Sequence, residues 1–317
     1  VSNSEYLPSC SPALIEARAN LYRNIRDFFY ARHVLEVDMP LLASHFVTDP
    51  FIQPIVADDT GCTRYLQSSP EYAMKRLLAA QPRCIYSLGK VFRAAETSRR
   101  HNPEFTMLEW YRLGLDDHQL MAEVAELVQS VLPDVAVHYL SYHQWFASNL
   151  GINPHTCELA ELRRVGKTLI EIDDTGLTCD DWLDLLVTHR LEPQMPAGLT
   201  FIYDYPASQA ALAKILPDKT GTLVARRFEA FLNGMELANG YWELTDPQEQ
   251  RRRFAADQKR RRDLGLPDIA ADPKLLAALE AGLPDCAGVA LGVDRLLMQL
   301  TGTRDIAHTL AFAADRV

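Results

Sequence analysis

The chain has 317 residues, 48% hydrophobic and 23% charged, enough for one large domain or one domain with an appended subdomain. Against 42 Asp and Glu it carries 32 Lys and Arg, and the formal net charge of −10 repels polyphosphate at long range, which counts against nucleic acid as the main partner. No apolar run approaches the ~20 residues of a membrane-spanning helix, so a soluble cytosolic protein is expected.

The N-terminus, Val1-Ser2-Asn3-Ser4-Glu5, lacks the basic and apolar regions of a leader. Ser11-Pro12 then opens an amphipathic helix over 13–32, with Leu14, Leu21, Ile25, Phe28 and Phe29 at helical spacing. Val34 to Pro40 reads as a short strand stopped by proline. Ser69-Pro70-Glu71 opens a second helix with Met74, Leu77 and Leu78 inward. Cys84 to Arg93 and Phe105 to Arg112 are strand-like, joined through 94–104, and Asp117 to Leu132 is helical. Residues 139–195 carry a mostly helical pattern and are expected to be an insertion within a single domain covering 1–317. Phe201 to Tyr205 returns to strand. Arg226–Leu232, Asn233-Gly234 and Met235–Tyr241 form a β-hairpin, Asn-Gly being the strongest two-residue turn signal. A helix over 247–262 follows, then a strand over 288–292 that runs into a helix over 294–300. Strands this far apart, several joined as hairpins, predict an α+β fold around a mostly antiparallel sheet. No Gly-x-Gly-x-x-Gly and no Walker-type loop is present, which disfavours the common parallel-sheet nucleotide folds. The cysteines, Cys10, Cys62, Cys84, Cys157, Cys179 and Cys286, show no Cys-x-x-Cys pair and no zinc-ligand spacing, as expected of free thiols in a reducing cytoplasm.

Three stretches carry chemistry. Along 105–111 side chains alternate faces, so Phe105, Met107, Glu109 and Tyr111 share one. That face suits a pocket stacking a flat ring at one end and holding a cation at the other; a core face with Glu109 satisfied is an equal reading. In the hairpin, Leu232 faces Met235 and Phe231 faces Glu236. Glu229 and Glu236 are then diagonal neighbours, with Cα atoms roughly 7–8 Å apart. Converging carboxylates repel unless a cation lies between them, and Mg²⁺ bridging to phosphates is the natural one. Two solvated carboxylates on an edge hairpin is the plainer reading. Finally, Gly288 to Arg295 is a glycine-spaced strand that delivers an arginine at a helix start, where it suits a phosphate or a base.

In this order the stretches resemble the motifs of class II aminoacyl-tRNA synthetases. Val34–Pro40 is similar to motif 1, the dimer-forming strand; Phe92-Arg93 through Phe105 to motif 2; Gly288–Arg295 to motif 3. The strings SPE (69–71), HNPEFTMLEWY (101–111) and GMELANGYWELTD (234–246) resemble the lysyl branch, and together the likeness covers nearly the whole chain. It implies a homodimer that uses ATP and Mg²⁺. Arg93 would hold the α-phosphate and Arg295 the γ-phosphate, and with Glu236 these would be the catalytic set. Glu96, His101, Asn102, Leu237 and Gly292 would line the nucleotide site, and Phe105 would stack on adenine. Glu229 and Glu236 would hold the metal. Ser69, Pro70, Glu71, Tyr111, Glu243 and Ala290 would form the amino-acid site, with Glu71, Tyr111 and Glu243 on the amino groups.

Three departures bear on which member of the branch is at hand. Before motif 1 this sequence holds only the helix over 13–32 and a short tail, so no anticodon-binding domain is expected. Motif 2 reads Arg93-Ala94-Ala95-Glu96, so the usual glutamate is displaced by one residue. Ala290 stands where a glycine is usual beside the amino-acid pocket. Such a chain resembles the ligases that activate (R)-β-lysine as an adenylate and transfer it to a lysine ε-amine of elongation factor P. Two alternatives remain at this point: a minimal lysyl-tRNA synthetase-like enzyme, against which the acidic charge counts, and a non-catalytic synthetase-like regulatory subunit. The second could lose its phosphate-handling residues freely, whereas Arg93, Glu229, Glu236 and Arg295 occur together.

Overall fold

The computed structural model describes residues 6–317; Val1 to Glu5, and with them the expectation of a leaderless N-terminus, lie outside the described residues. In chain order the elements begin with α1 (Pro12–Ala31), β1 (Leu35–Glu36), β2 (Leu42–Ala43), β3 (Ile55–Asp59), β4 (Cys62–Leu66), α2 (Glu71–Ala80), β5 (Ile85–Phe92), β6 (Glu104–Leu113) and α3 (Asp117–Val131). Next come β7 (Val137–Ser141), α4 (Tyr142–Leu150), α5 (Leu159–Lys167), α6 (Cys179–Leu186), β8 (Leu199–Pro206), β9 (Ile215–Pro217), β10 (Leu223–Leu232) and β11 (Met235–Trp242). The last are α7 (Pro247–Asp263), α8 (Pro273–Gly282), β12 (Cys286–Gly292) and α9 (Val293–Thr301).

The chain forms two compact units. Among the described residues, the first holds 6–115, 130–132 and 244–317. Its sheet runs β1-β5-β6-β12, antiparallel except for the parallel β1–β5 pair. Both faces of β6 are covered, so the run 106–111 is buried throughout. On the helix side the Phe29 ring of α1 stacks on Tyr86 at 4.5 Å and meets Trp110 edge-on at 5.3 Å. This packing accounts for the apolar stripe of α1, where Leu21, Ile25, Phe28 and Phe29 are the buried residues. Thr106, Leu108 and Trp110 alternate with Met107, Glu109 and Tyr111, as the period of two requires. A separate small sheet, β2-β4-β3, lies in the same unit.

The second unit holds residues 116–129 and 133–243. Its sheet runs β11-β10-β8-β7, with β9 also on β10; only β7–β8 is parallel. The helices α4, α5 and α6 build a core with Tyr142, Trp145, Phe146, Leu162, Trp182 and Phe231. Helix α5 comes close to α6 because residue 166 is glycine: a Cβ there would lie 2.2 Å from the Trp182 ring. Capping boxes at Ser141/Gln144 and Thr178/Asp181 start α4 and α6.

The α+β expectation holds, with mixed, mostly antiparallel sheets flanked by helices. Some element details differ. The strand expected over 34–40 shortens to Leu35–Glu36, because only those residues pair with β5. Ser11 occupies the N-cap of α1 without a side-chain cap bond. Residues 139–141 are strand rather than helix, pairing with 201–203 of β8. The six cysteines are free, with Cys62 and Cys179 exposed and Cys10 and Cys286 buried. Among the described residues no helix is long and apolar enough to cross a membrane.

Candidate active site

In the first unit, β6 and β12 bring together several of the residues read from sequence as the amino-acid site. Their register sets Ala290 opposite Glu109, Gly288 opposite Tyr111 and Gly292 opposite Met107. Small residues on β12 therefore lie beside the polar face of β6, where they allow close approach to its side chains. Glu109 is 2% exposed. The Ser69 hydroxyl donates to its Oε2 at 2.7 Å and the Tyr111 hydroxyl to its Oε1 at 2.8 Å. The Ser69 oxygen also accepts the Glu71 amide at 3.0 Å, fixing the entry to α2. Pro70 occupies the N-cap, and one turn on, buried Lys75 donates to Glu71 Oε1 at 2.7 Å. Ser69, Pro70, Glu71, Tyr111 and Ala290 are thus brought together, with Glu109 and Lys75 added to them. The sequence reading put Glu109 on this face, as the cation-holding carboxylate or as a satisfied core residue, but did not place it among the amino-acid site residues; here it accepts from Ser69 and Tyr111. Lys75 was missed altogether; its i, i+4 spacing from Glu71 was the available signal.

The same unit collects the nucleotide candidates. The Arg93 guanidinium lies 5.4 Å from the centre of the Phe105 ring and 3.8 Å from Glu96. Ala95, between them in sequence, has φ 61°, a left-handed conformation that turns the chain so that Glu96 reaches Arg93. Arg295 Nη2 is 2.7 Å from His101 Nε2. Asn102 is 8% exposed; its amide donates to the Glu104 carbonyl at 2.6 Å and its oxygen accepts from the Ala314 amide at 3.1 Å. Asn102 therefore shapes the 93–105 loop through its own hydrogen bonds. Gly292 is the N-cap of α9, at whose first turn Arg295 lies.

In the second unit the hairpin forms as read, with Asn233 and Gly234 at φ 51° and 73°. Both signs are positive, as a type I′ turn needs. Phe231 pairs with Glu236, but the register shifts between Ala230 and Phe231, so Ala230 meets Ala238 and Glu229 meets Asn239. Leu237 is the extra residue of this bulge and is 2% exposed. Burial pushes the Glu229 carboxyl above its ordinary range; Arg227 opposes this and the nearby Glu236 charge adds to it. Arg227 forms an ion pair with Glu229, and its ring-facing side lies 4.6 Å from the centre of Tyr205. Sequence reasoning missed Arg227, although its i, i+2 spacing from Glu229 puts both half-buried side chains on one strand face. Two carboxylates near one another, one already neutralised from the side, make a donor set of hard oxygens that fits part of a Mg²⁺ shell. Glu243 is 1% exposed and follows β11, bridging to Ala213. A different acidic group, Asp117, His118 and Asp204, has its ligand atoms within 4.8 Å of one another. Arg226 already spans its two carboxylates at 2.9 Å each.

A family model described as class II tRNA synthetases (D, K and N) matches residues 9–316. The elongation factor P–(R)-β-lysine ligase of Vibrio cholerae serotype O1 is 46% identical over 330 residues, covering 100% of both chains. The chain belongs to this ligase family within the class II synthetases. The ligase of the same name from Proteus mirabilis is 47% identical over 324 residues, covering 99% of this chain and 98% of its own. That from Klebsiella pneumoniae subsp. pneumoniae is 46% identical over 318 residues, covering 98% and 97%. Membership disfavours both alternatives, the minimal tRNA-charging enzyme and the non-catalytic subunit.

Proposed function

We propose that the chain is an ATP-dependent, AMP-forming ligase that activates (R)-β-lysine and transfers it to elongation factor P. A β-lysine carboxylate oxygen attacks the α-phosphorus of ATP, forming the adenylate as pyrophosphate leaves. A lysine ε-amine of elongation factor P then attacks the adenylate carbonyl. The amide forms, AMP leaves with the bonding pair, and the amine gives up a proton. Catalysis rests on positioning and charge neutralisation, with no covalent enzyme intermediate. Arg93 and Arg295 neutralise phosphate charge, Phe105 stacks the base, and Glu96, His101, Asn102, Leu237 and Gly292 complete the nucleotide site. Glu229 and Glu236 would hold Mg²⁺, which when bound supplies positive charge to the phosphates.

The observation that supports this reading is the cluster in which Ala290 pairs with buried Glu109 and Ser69 and Tyr111 hydrogen-bond that carboxylate, with Glu71 alongside. A diamine is matched by carboxylates, and a methyl group on the floor changes the space beside its second amine. Glu71, Tyr111 and Glu243 are assigned to the amino groups. The single family match over 9–316 supports reading 1–317 as one catalytic domain that includes the helical stretch from 142 on. Six free cysteines suit a reducing cytoplasm. A homodimer is assigned to the exposed apolar residues around α1 and β1. The test is ATP–pyrophosphate exchange with both lysine isomers, followed by mass analysis of elongation factor P. Exchange with β-lysine and a β-lysyl adduct are expected; exchange with neither isomer would overturn the reading.

A further inference from the structure

Arg18 lies on the inward side of α1, in none of the three motifs, yet its guanidinium meets three separate elements. It pairs with Asp294, the residue before Arg295 at the start of α9. Its Nε and Nη2 donate to the Thr309 carbonyl at 3.2 and 2.7 Å. Its Nη1 donates to the Tyr22 hydroxyl at 3.0 Å and approaches Thr106 Oγ1 at 3.5 Å. The far oxygen of the same Asp294 carboxylate accepts the Thr106 backbone amide at 2.6 Å. The β12–β6 pairing ends at Gly292 and Met107. One residue further back along β6, the carboxylate takes the amide instead.

We propose that Arg18 is a positioning residue for the nucleotide: through Asp294 it fixes the backbone beside Phe105 against the helix start that carries Arg295. This rests on the reading of Phe105 and Arg295 as the base and phosphate contacts. The tie is short in sequence at both ends, since Thr106 adjoins Phe105 and Asp294 adjoins Arg295. The Asp294 side chain is 2% exposed and that of Arg18 17%. A buried carboxylate bound only to neutral donors is costly, and Arg18 supplies its countercharge. Without it, the buried carboxylate has no countercharge, and turning it toward solvent loosens its hold on Thr106. A second route runs from the same arginine. The turn containing Thr309 begins at Ile306, whose amide donates to the Arg99 carbonyl at 2.9 Å. Arg18 therefore holds the 93–105 loop from the far side as well. Lysine keeps the charge but cannot reach Asp294, Thr309 and Tyr22 together.

The experiment uses the full chain with Arg18→Ala, Arg18→Lys and Asp294→Asn. Binding of a non-hydrolysable ATP analogue is measured by calorimetry, and KM for ATP and for lysine by pyrophosphate exchange. Arg18→Ala and Asp294→Asn are expected to weaken nucleotide binding roughly tenfold or more, the scale of a misplaced contact. KM for lysine should stay within about twofold, and Arg18→Lys should recover part of the loss. Arg26→Gln is the control: Arg26 lies on the same helix but pairs with Glu36. Unchanged ATP binding in Arg18→Ala and Asp294→Asn, alongside its loss in Arg295→Ala, would overturn the positioning role and leave the nucleotide site standing. Retention of ATP binding in Arg295→Ala would instead bring down the site reading. Should Arg18→Ala fail to fold, Arg18→Lys and Asp294→Asn decide; equal losses for ATP and lysine in these would also overturn the proposal.

Discussion

Ala290 is one methyl group larger than glycine, and the register puts that methyl opposite a buried carboxylate. A methylene-sized change in a pocket is worth ~1–3 kcal/mol of discrimination. Ala290→Gly is therefore expected to improve α-lysine relative to β-lysine by roughly ten- to a hundredfold in kcat/KM. Glu243→Gln should weaken both isomers together. An unchanged isomer ratio in Ala290→Gly would remove the pocket assignment while leaving the family. Glu236→Gln keeps the shape of the side chain and removes its charge. Folding should persist, as checked by circular dichroism, and most adenylate formation should disappear. Wild-type pyrophosphate exchange in that variant would rule out the hairpin as a metal site. Single residues were legible in sequence where their spacing is local, as with Glu71 after Ser69-Pro70. Asp294 with Arg18, 276 residues apart, was not.

Among elements, the hairpin was the most legible, because Asn-Gly dictates both its turn and its end register. Its bulge was not, since Leu237 inserts for packing reasons that no turn residue announces. The short strands β2, β3 and β4 were also missed: they are two to five residues long and show no clean alternation of burial. Helix α6 offers a test of its own. Partial desolvation pushes the Asp184 carboxyl up to about 6, although the residue is exposed at the surface, against a hydrogen bond from Gln209 that lowers it. A carboxyl raised in the folded state contributes stability that is full below its unfolded value of 3.8 and lost as pH rises through about 6. Asp184→Asn keeps the acceptor for Gln209 and removes the charge. It should raise Tm at pH 7.5 by about 2 °C, on the order of 1 kcal/mol after allowance for partial exposure. At pH 4 the gain should vanish, and a gain of the same size at both pH values would refute the cause.

At the scale of the whole molecule, the α+β class was readable from strand spacing, whereas the division into two compact units was not: their boundaries at 116 and 243 fall inside apparently continuous pattern. Tyr30 is 84% exposed, and Leu35, Leu41 and Leu42 are 42–45% exposed, an apolar surface around α1 and β1. Sedimentation is expected to show a dimer at micromolar concentration, with Tyr30→Glu shifting it toward monomer; wild-type monomer alone would contradict a two-fold interface there. The cysteines have a practical consequence. Cys62 and Cys179 are the exposed thiols, one in β4 of the first unit and one in α6 of the second. Burial pushes the Cys157 thiol up to about 11, out of reach of mild alkylation at neutral pH. Maleimide dyes should therefore attach first at Cys62 and Cys179, one on each unit, so that energy transfer between them reports whether ATP loading changes their separation without an engineered residue.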